Sequence, residues 1–162
     1  MAALPVIVRA PQARDELAWR RLWAAYLDFY GATVPPEATS HTWGRILDPA
    51  GPMFGRVATL EEAAVGFAIC VIHEGTWSVR PTCYLEDLFV DPAARGTGVG
   101  RALLDDLVTL ATDRGWASLY WHTRAGNAQA RRVYDRYVPA DDFVRYRLAI
   151  QPRAADELAP PA

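Results

Sequence analysis

The chain has 162 residues, a formal net charge of −2 and a composition that is 51% hydrophobic and 22% charged. That length suits one domain with a single core, and the apolar content is too high for a disordered chain. The small net charge provides no basic surface for nucleic acid and no cationic face for a membrane. The sequence opens without a signal-peptide pattern and holds no apolar stretch of transmembrane length, so we expect a soluble cytoplasmic protein.

Residues that could hold a metal or form a covalent intermediate are few. All 17 basic residues are arginine, so no lysine is available as a Schiff-base former or as the lysine of a phosphate loop. Cys70 and Cys83 lie in apolar, strand-like runs, where a free cysteine behaves as a small hydrophobe. The three histidines are scattered without the spacing of metal ligands, and we expect no metal.

The elements follow a mixed order. The patterns predict a strand at 6–8, a helix from Asp15 to Gly31, a helix at 39–47, and strands at 54–60, 64–72 and 82–90, the first two of these joined by a turn at Glu61-Glu62. After them we expect a helix at 99–114, a strand at 118–123, a helix at 127–137 and a final strand at 143–150. The fold class is therefore α/β (α+β), with one domain over residues 1–150 and a flexible tail over 151–162.

A glycine-rich loop joins the strand at 82–90 to the helix at 99–114. It reads Arg95-Gly96-Thr97-Gly98-Val99-Gly100. Glycines let the backbone approach a ligand closely, and the unpaired N–H groups at a helix start attract an anion. With Arg95 and Arg101 on either side, the loop is typical of a phosphate or pyrophosphate site.

Two other phosphate loops do not fit this spacing. A nucleotide-binding P-loop needs a lysine near its end, which this chain lacks. A dinucleotide fingerprint has glycines at positions 1, 3 and 6, whereas here they stand at 1, 3 and 5, with Arg101 sixth. A plain tight turn remains an alternative on spacing alone, because glycine is the usual turn residue.

The residues around the loop resemble a known family. The run from Tyr84 to Leu104 is similar to motif A of the GCN5-related N-acetyltransferases, the GNAT superfamily, whose core Arg/Gln-x-x-Gly-x-Gly/Ala is met by Arg95, Gly98 and Gly100. Further along, Asn127-x-x-Ala130-x-x-x-Tyr134 resembles the motif B helix of that superfamily. The order of elements over residues 6–150 is similar as well.

This resemblance implies a fold and a cofactor. The fold would be a central mixed, mostly antiparallel sheet, splayed at a cleft and flanked by about four helices. The cleft would hold acetyl-CoA as co-substrate, with the strand before the loop paired to the pantetheine arm and the loop amides on the pyrophosphate. The cofactor-binding residues implied are Leu88, Phe89, Val90, Arg95, Gly96, Thr97, Gly98, Val99, Gly100, Arg101 and Asn127.

The resemblance also implies catalytic residues for acetyl transfer to an amine. Tyr134 matches the motif B tyrosine that protonates the coenzyme A thiolate, and a phenol stays protonated at neutral pH. Glu86 is the candidate base, or a substrate-binding group, because nearby apolar residues would raise its pKa. Asp87 is the other candidate. In a regular strand the two carboxylates point to opposite faces, but a bulge is common here in the family, so which one faces the cleft stays open.

The acceptor is less defined. The sequence around Gly66, Trp77 and Glu86 looks most like the diamine and spermidine/spermine branch, which implies a polyamine-like substrate near Asp87. Trp77 and Tyr30 are candidates for lining its pocket. Gly126 stands where that branch carries tryptophan, and the stretch after Tyr134 lacks its closing Gly-Phe or Gly-Ala pair. Other small amines, a protein terminus or lysine, and a non-catalytic acyl-CoA sensor remain alternatives. Homodimers are common in the family.

Overall fold

The computed structural model describes residues 5–150 of the chain, so the tail expected at 151–162 lies outside the described residues. Nine helices and strands follow one another, with short 3-10 turns at Ala13–Asp15 and Pro92–Ala94. They are β1 (Ile7–Arg9), α1 (Glu16–Tyr30), α2 (Pro36–Leu47), β2 (Met53–Leu60), β3 (Ala63–His73), β4 (Thr82–Val90), α3 (Val99–Asp113), β5 (Ser118–Trp121) and α4 (Ala128–Tyr134).

The strands form one five-stranded sheet in the order β1-β2-β3-β4-β5. β1 to β4 are antiparallel to their neighbours, while β5 runs parallel to β4. The β2–β3 hairpin turns at Glu61 and Glu62, both with positive φ, as the mirror-image turns favoured in tight hairpins require. The parallel step is possible because α3 carries the chain back across the sheet between β4 and β5. The mixed, mostly antiparallel sheet with four helices is confirmed.

Each face of the sheet buries its own apolar cluster. On one face α3 packs Leu103 and Leu107 against Cys70, Cys83 and Leu85. On the other, α1 and α2 bring Trp19 and Trp43 onto Phe67, Ile69 and Phe89. Strand residues alternate between the two clusters because successive side chains point to opposite faces. Both cysteines are free and buried, as expected.

The final strand expected at 143–150 does not form. Its sequence alternates apolar and polar side chains, but in the structure this segment is irregular. Phe143 and Tyr146 are 84% and 92% exposed. An alternating pattern predicts how a strand would divide its side chains between two faces, but a strand also needs a hydrogen-bonded neighbour. Within residues 5–150 the segment has none. Among these same residues, no helix is long and apolar enough to cross a membrane.

Candidate active site

The sheet splits between β4 and β5. The two strands pair only from Thr82 opposite Ser118 to Leu85 opposite Trp121, whereas β4 continues to Val90 alongside β3. Beyond Leu85, β4 therefore presents a row of backbone N–H and C=O groups with no strand on that side. This free edge borders a large cavity with a volume of about 460 Å³.

The glycine loop closes one end of this large cavity. Gly96 and Gly98 adopt φ values of +82° and +93°, a backbone region in which glycine has no steric cost. Gly98 is the N-cap of α3, and Ala102 N donates to its carbonyl at 2.9 Å. The amides of Val99, Gly100 and Arg101 precede the first intrahelical bond and have no partner within the helix. The loop thus presents helix N–H groups beside the cavity.

The charged residues that line the large cavity are all positive. They are four arginines, Arg95, Arg101, Arg132 and Arg136, and no Asp or Glu lines the cavity. The guanidinium of Arg95 also lies over the rings of Phe29 and Phe89, at 5.6 and 5.8 Å from their centroids. A lining of cations and helix N–H groups selects a polyanionic ligand. The sequence analysis identified Arg95 and Arg101 but missed the two arginines of the α4 region, whose positions carry no motif.

Asn127 and Tyr134 border the same cavity from α4. The Asn127 side chain caps this helix, accepting from Ala130 N at 3.4 Å, and donates to Thr123 Oγ1 at 3.1 Å. Tyr134 packs its ring 5.4 Å from that of Trp121. Burial, followed by the nearby Tyr30, raises the pKa of Tyr134 to about 12. The phenol is thus held in its protonated form beside the cavity.

Both carboxylates of β4 point to the same side. Ile69 of β3 pairs with Asp87 and the next residue, Cys70, pairs with Leu85, so Glu86 has no partner across the ladder. Such a β-bulge breaks the alternation of side chains. As a result Glu86 and Asp87 line one cavity together. Glu86 is exposed, whereas Asp87 is half-buried.

Asp87 has an environment suited to proton transfer. Tyr26 of α1 donates a hydrogen bond from its hydroxyl to Asp87 Oδ1 at 2.5 Å. The pKa of Asp87 is raised to about 6. Burial is the main cause and the charge of Glu86 adds to it, while the hydrogen bond from Tyr26 acts in the opposite direction. A carboxylate with a pKa near neutrality can both take up and release a proton at physiological pH.

A second cavity of about 210 Å³ adjoins this pair. Its walls are mainly apolar and come from α1, the loop after it, α2, β2 and β3; its charged groups are Arg45 of α2 and the two β4 carboxylates. Tyr26 lines the large cavity and Asp87 lines the small one. The two cavities therefore lie next to each other at the Tyr26–Asp87 hydrogen bond.

Trp77 and Tyr30, predicted to line an acceptor pocket, do not line the small cavity. Trp77 is 97% exposed in the β3–β4 loop and lines neither cavity. Tyr30 lines the large cavity rather than the small one, with the Arg124 guanidinium 5.0 Å from its ring centroid. Tyr26 and Arg45 were not identified from the sequence. Tyr26 belongs to an apolar helical stripe, and a lone arginine near a helix end gives no signal.

These features place the chain in a known class. A family model for the acetyltransferase (GNAT) family matches residues 19–138, and the chain belongs to that family of acyltransferase enzymes. It is 34% identical to a D-amino-acid N-acetyltransferase of Saccharomyces cerevisiae, over 88% of this chain and 89% of the relative. It is also 30% identical to an aminoglycoside N(6')-acetyltransferase type 1 of Stenotrophomonas maltophilia, over 95% and 99% of the two chains.

A solved structure shares the fold. AAC(6')-Iy in complex with the bisubstrate analogue CoA-S-monomethyl-acetylneamine superposes with a TM-score of 0.75 at 20% identity, covering 90% of this chain and 99% of that one. This likeness confirms the overall fold.

Proposed function

We propose that this protein transfers the acetyl group of acetyl-CoA to the amine of a small-molecule acceptor in a ternary complex. The observation that carries the proposal is the junction of the two cavities at Tyr26 and Asp87. The amine nitrogen attacks the thioester carbonyl and loses a proton, and the C–S bond breaks. The departing thiolate then takes up a proton. Holding both reactants in line removes the entropy cost of their encounter.

The large cavity suits coenzyme A in three respects. The free edge of β4 can pair with the amides of the pantetheine arm as an added strand would. The helix N–H groups from Val99 to Arg101 suit the pyrophosphate, and the four arginines suit the further phosphate charge. An amide on the β4 edge near Leu88 can also stabilise charge that develops on the carbonyl oxygen.

Two side chains suit the proton transfers. We assign Tyr134 as the acid for the thiolate, because its pKa of about 12 keeps it protonated. We assign Asp87 rather than Glu86 as the base, directly or through a water. Asp87 is the more buried of the two and has a pKa of about 6, so it is ionised at neutral pH yet close enough to neutrality to accept a proton. Glu86 is then placed to attract a cationic acceptor.

The test is free-thiol release from acetyl-CoA with four panels: amino acids, diamines, aminoglycosides and short peptides. We expect release with small amines, because the acceptor cavity lies below the roughly 300–1,000 Å³ of pockets for drug-sized ligands. Release with peptides alone would support a protein acetylase instead. Tight coenzyme A binding without release would support a sensor.

The glycine loop provides a prediction for the cofactor. Alanine at position 98 can hold a φ of +93° only at a cost of about 1–2 kcal/mol, so the free loop of the variant relaxes and acetyl-CoA binding must restore that conformation. We expect Gly98→Ala to weaken acetyl-CoA binding roughly 5- to 30-fold, measured by calorimetry. Gly115→Ala is the control, because Gly115 also has a positive φ, at +65°, but lines neither cavity. Equal loss of affinity in both variants would contradict the assignment of the loop.

The Tyr26–Asp87 hydrogen bond provides a prediction about pH. This bond lowers the pKa of Asp87 against the larger effect of burial. In Tyr26→Phe the bond is lost, so the pKa of Asp87 rises and a higher pH is needed to ionise the base. We expect the acid limb of kcat/KM to move upward by about one pH unit, the worth of a hydrogen bond to a charged group. A profile from pH 5 to 9 measures this, and an unmoved or lowered limb contradicts it.

A further inference from the structure

We propose that Arg45 selects acceptors that carry a free carboxylate together with the amine, so that the substrate is an amino acid rather than a diamine or an aminoglycoside. The inference rests on the proposed function and deepens it. It starts from a feature that amine chemistry alone does not require, namely a cation in the wall of the acceptor cavity.

The acceptor cavity is charged with both signs. Glu86 and Asp87 of β4 line it on one side, and Arg45 of α2 lines it from another element. Between them lies a floor that includes Met53 of β2 and Ile69 of β3. Arg45 is exposed, and no ion pair within 4 Å joins it to any described residue, Glu86 and Asp87 included.

An uncompensated arginine in a cavity favours an anionic group on the ligand. The guanidinium remains charged at every physiological pH, and its planar fork matches a carboxylate in a bidentate arrangement. An amino acid fills such a site with both of its charged ends. Its amine lies toward Asp87, its carboxylate lies toward Arg45, and its side chain packs on the apolar walls.

The same charge disfavours the alternative acceptors. A diamine or an aminoglycoside carries a second ammonium group, which Glu86 can attract but which meets a like charge wherever it approaches Arg45. Juxtaposed like charges are a common means of rejecting the wrong ligand. A competing explanation is that Arg45 only stabilises the C-terminus of α2, since it lies in the last turn of that helix. That role would be indifferent to the carboxylate of the substrate, so the two explanations predict different kinetics.

The test compares an amino acid with its amide. We expect wild-type protein to acetylate leucine or phenylalanine, in one of their enantiomers, with a kcat/KM at least tenfold above that of the matching amide. Arg45→Gln should raise KM for the amino acid about 10- to 100-fold, the range lost with a hydrogen bond to a charged group. KM for the amide and for acetyl-CoA should change by less than about twofold, because Arg45 is not expected to contact either of them. Arg45→Lys, which keeps the charge, should recover part of the loss.

The matched control is Arg114→Gln. Arg114 is the C-cap of α3, so it serves the dipole of a helix end as Arg45 does, but it lines neither cavity. We expect no change in the preference for acid over amide. Equal rates with amides or diamines in wild-type protein, or an Arg45→Gln effect equal on acid and amide, would overturn the inference while leaving the proposed function standing. Absence of thiol release with every amine would overturn the proposed function itself.

Discussion

Asp87→Asn is expected to lower kcat roughly 100- to 10,000-fold, the usual contribution of a general base. Asparagine keeps the shape of the side chain and can still accept a hydrogen bond from Tyr26, but it cannot take a proton from the attacking amine. Wild-type protein should show an acid limb in kcat/KM near pH 6, because the pKa of Asp87 is about 6. The residual rate of the variant should lack that limb. Steady-state kinetics with the best acceptor of the panel measures both effects.

Glu86→Gln is the control for this substitution. Glu86 is the neighbouring carboxylate, lines the same cavity and was the base expected from the sequence. If Asp87 is the base, Glu86→Gln should raise KM for a cationic acceptor and retain most of kcat. A loss of kcat in Glu86→Gln with little effect in Asp87→Asn would reverse the assignment.

Asp87→Asn is also expected to be more stable than the wild type above pH 6. The pKa of Asp87 is higher in the folded protein, at about 6, than its ordinary 3.8, so folding favours the protonated carboxyl. The stability this provides is present below about pH 4 and is lost as pH rises through about 6, a difference worth roughly 3 kcal/mol. Asparagine has no titratable group, so its contribution to the free energy of unfolding does not fall as the pH rises. Denaturant unfolding should therefore show a gain of about 1–3 kcal/mol at pH 8 that disappears at pH 4; a gain that is independent of pH would contradict this origin.

Tyr134→Phe is expected to lower kcat about 100-fold with little change in acetyl-CoA affinity. General acids contribute roughly 100- to 10,000-fold to the rate. A thiol is fairly acidic, with a pKa of about 8.5 in cysteine, so a thiolate can leave without full protonation. We therefore expect an effect at the lower end of that range. Phenylalanine keeps the packing of the ring against Trp121. The wild-type rate should not fall on the basic side through ionisation of Tyr134 below about pH 10, since the pKa of this phenol is about 12.

Tyr137→Phe is the matched control for the acid. Tyr137 follows α4, and its hydroxyl donates a hydrogen bond to Asp105 Oδ1 at 2.6 Å. It lines neither cavity. Tyr137→Phe should lose this hydrogen bond to α3 and lower the free energy of unfolding, while kcat is retained. Rapid-quench and steady-state rates of both variants separate a chemical effect from a packing effect. Equal kcat in Tyr134→Phe and wild type at all pH values would exclude Tyr134 as the acid.

Most of the cofactor side of the site could be predicted from short stretches of sequence. The loop from Arg95 to Gly100 was identifiable because glycine is favoured at positive φ and because the N–H groups at a helix start attract anions. Asn127 and Tyr134 followed from the resemblance of their helix to motif B of the family. These are local properties, and the structure brings the three features to one cavity through the split between β4 and β5.

The acceptor side could be predicted only in part. Glu86 and Asp87 were visible as a pair of carboxylates, but which of them faces the cleft depends on a bulge in the β3–β4 ladder. Tyr26 and Arg45 contribute through contacts with residues far away in sequence. The strand expected at 143–150 failed for a related reason, because its pattern contains no information about whether a neighbouring strand is available.

The sequence by itself determined the class of most elements, the β2–β3 turn and the glycine loop at the start of α3, because each depends on backbone conformation or spacing within one element. Only the tertiary structure decided that Asp87 is half-buried and bonded to Tyr26, that four arginines share one cavity, and that Arg45 lines the small cavity together with Glu86 and Asp87. Burial, pKa and charge complementarity depend on which distant segments pack together, and no local pattern specifies that.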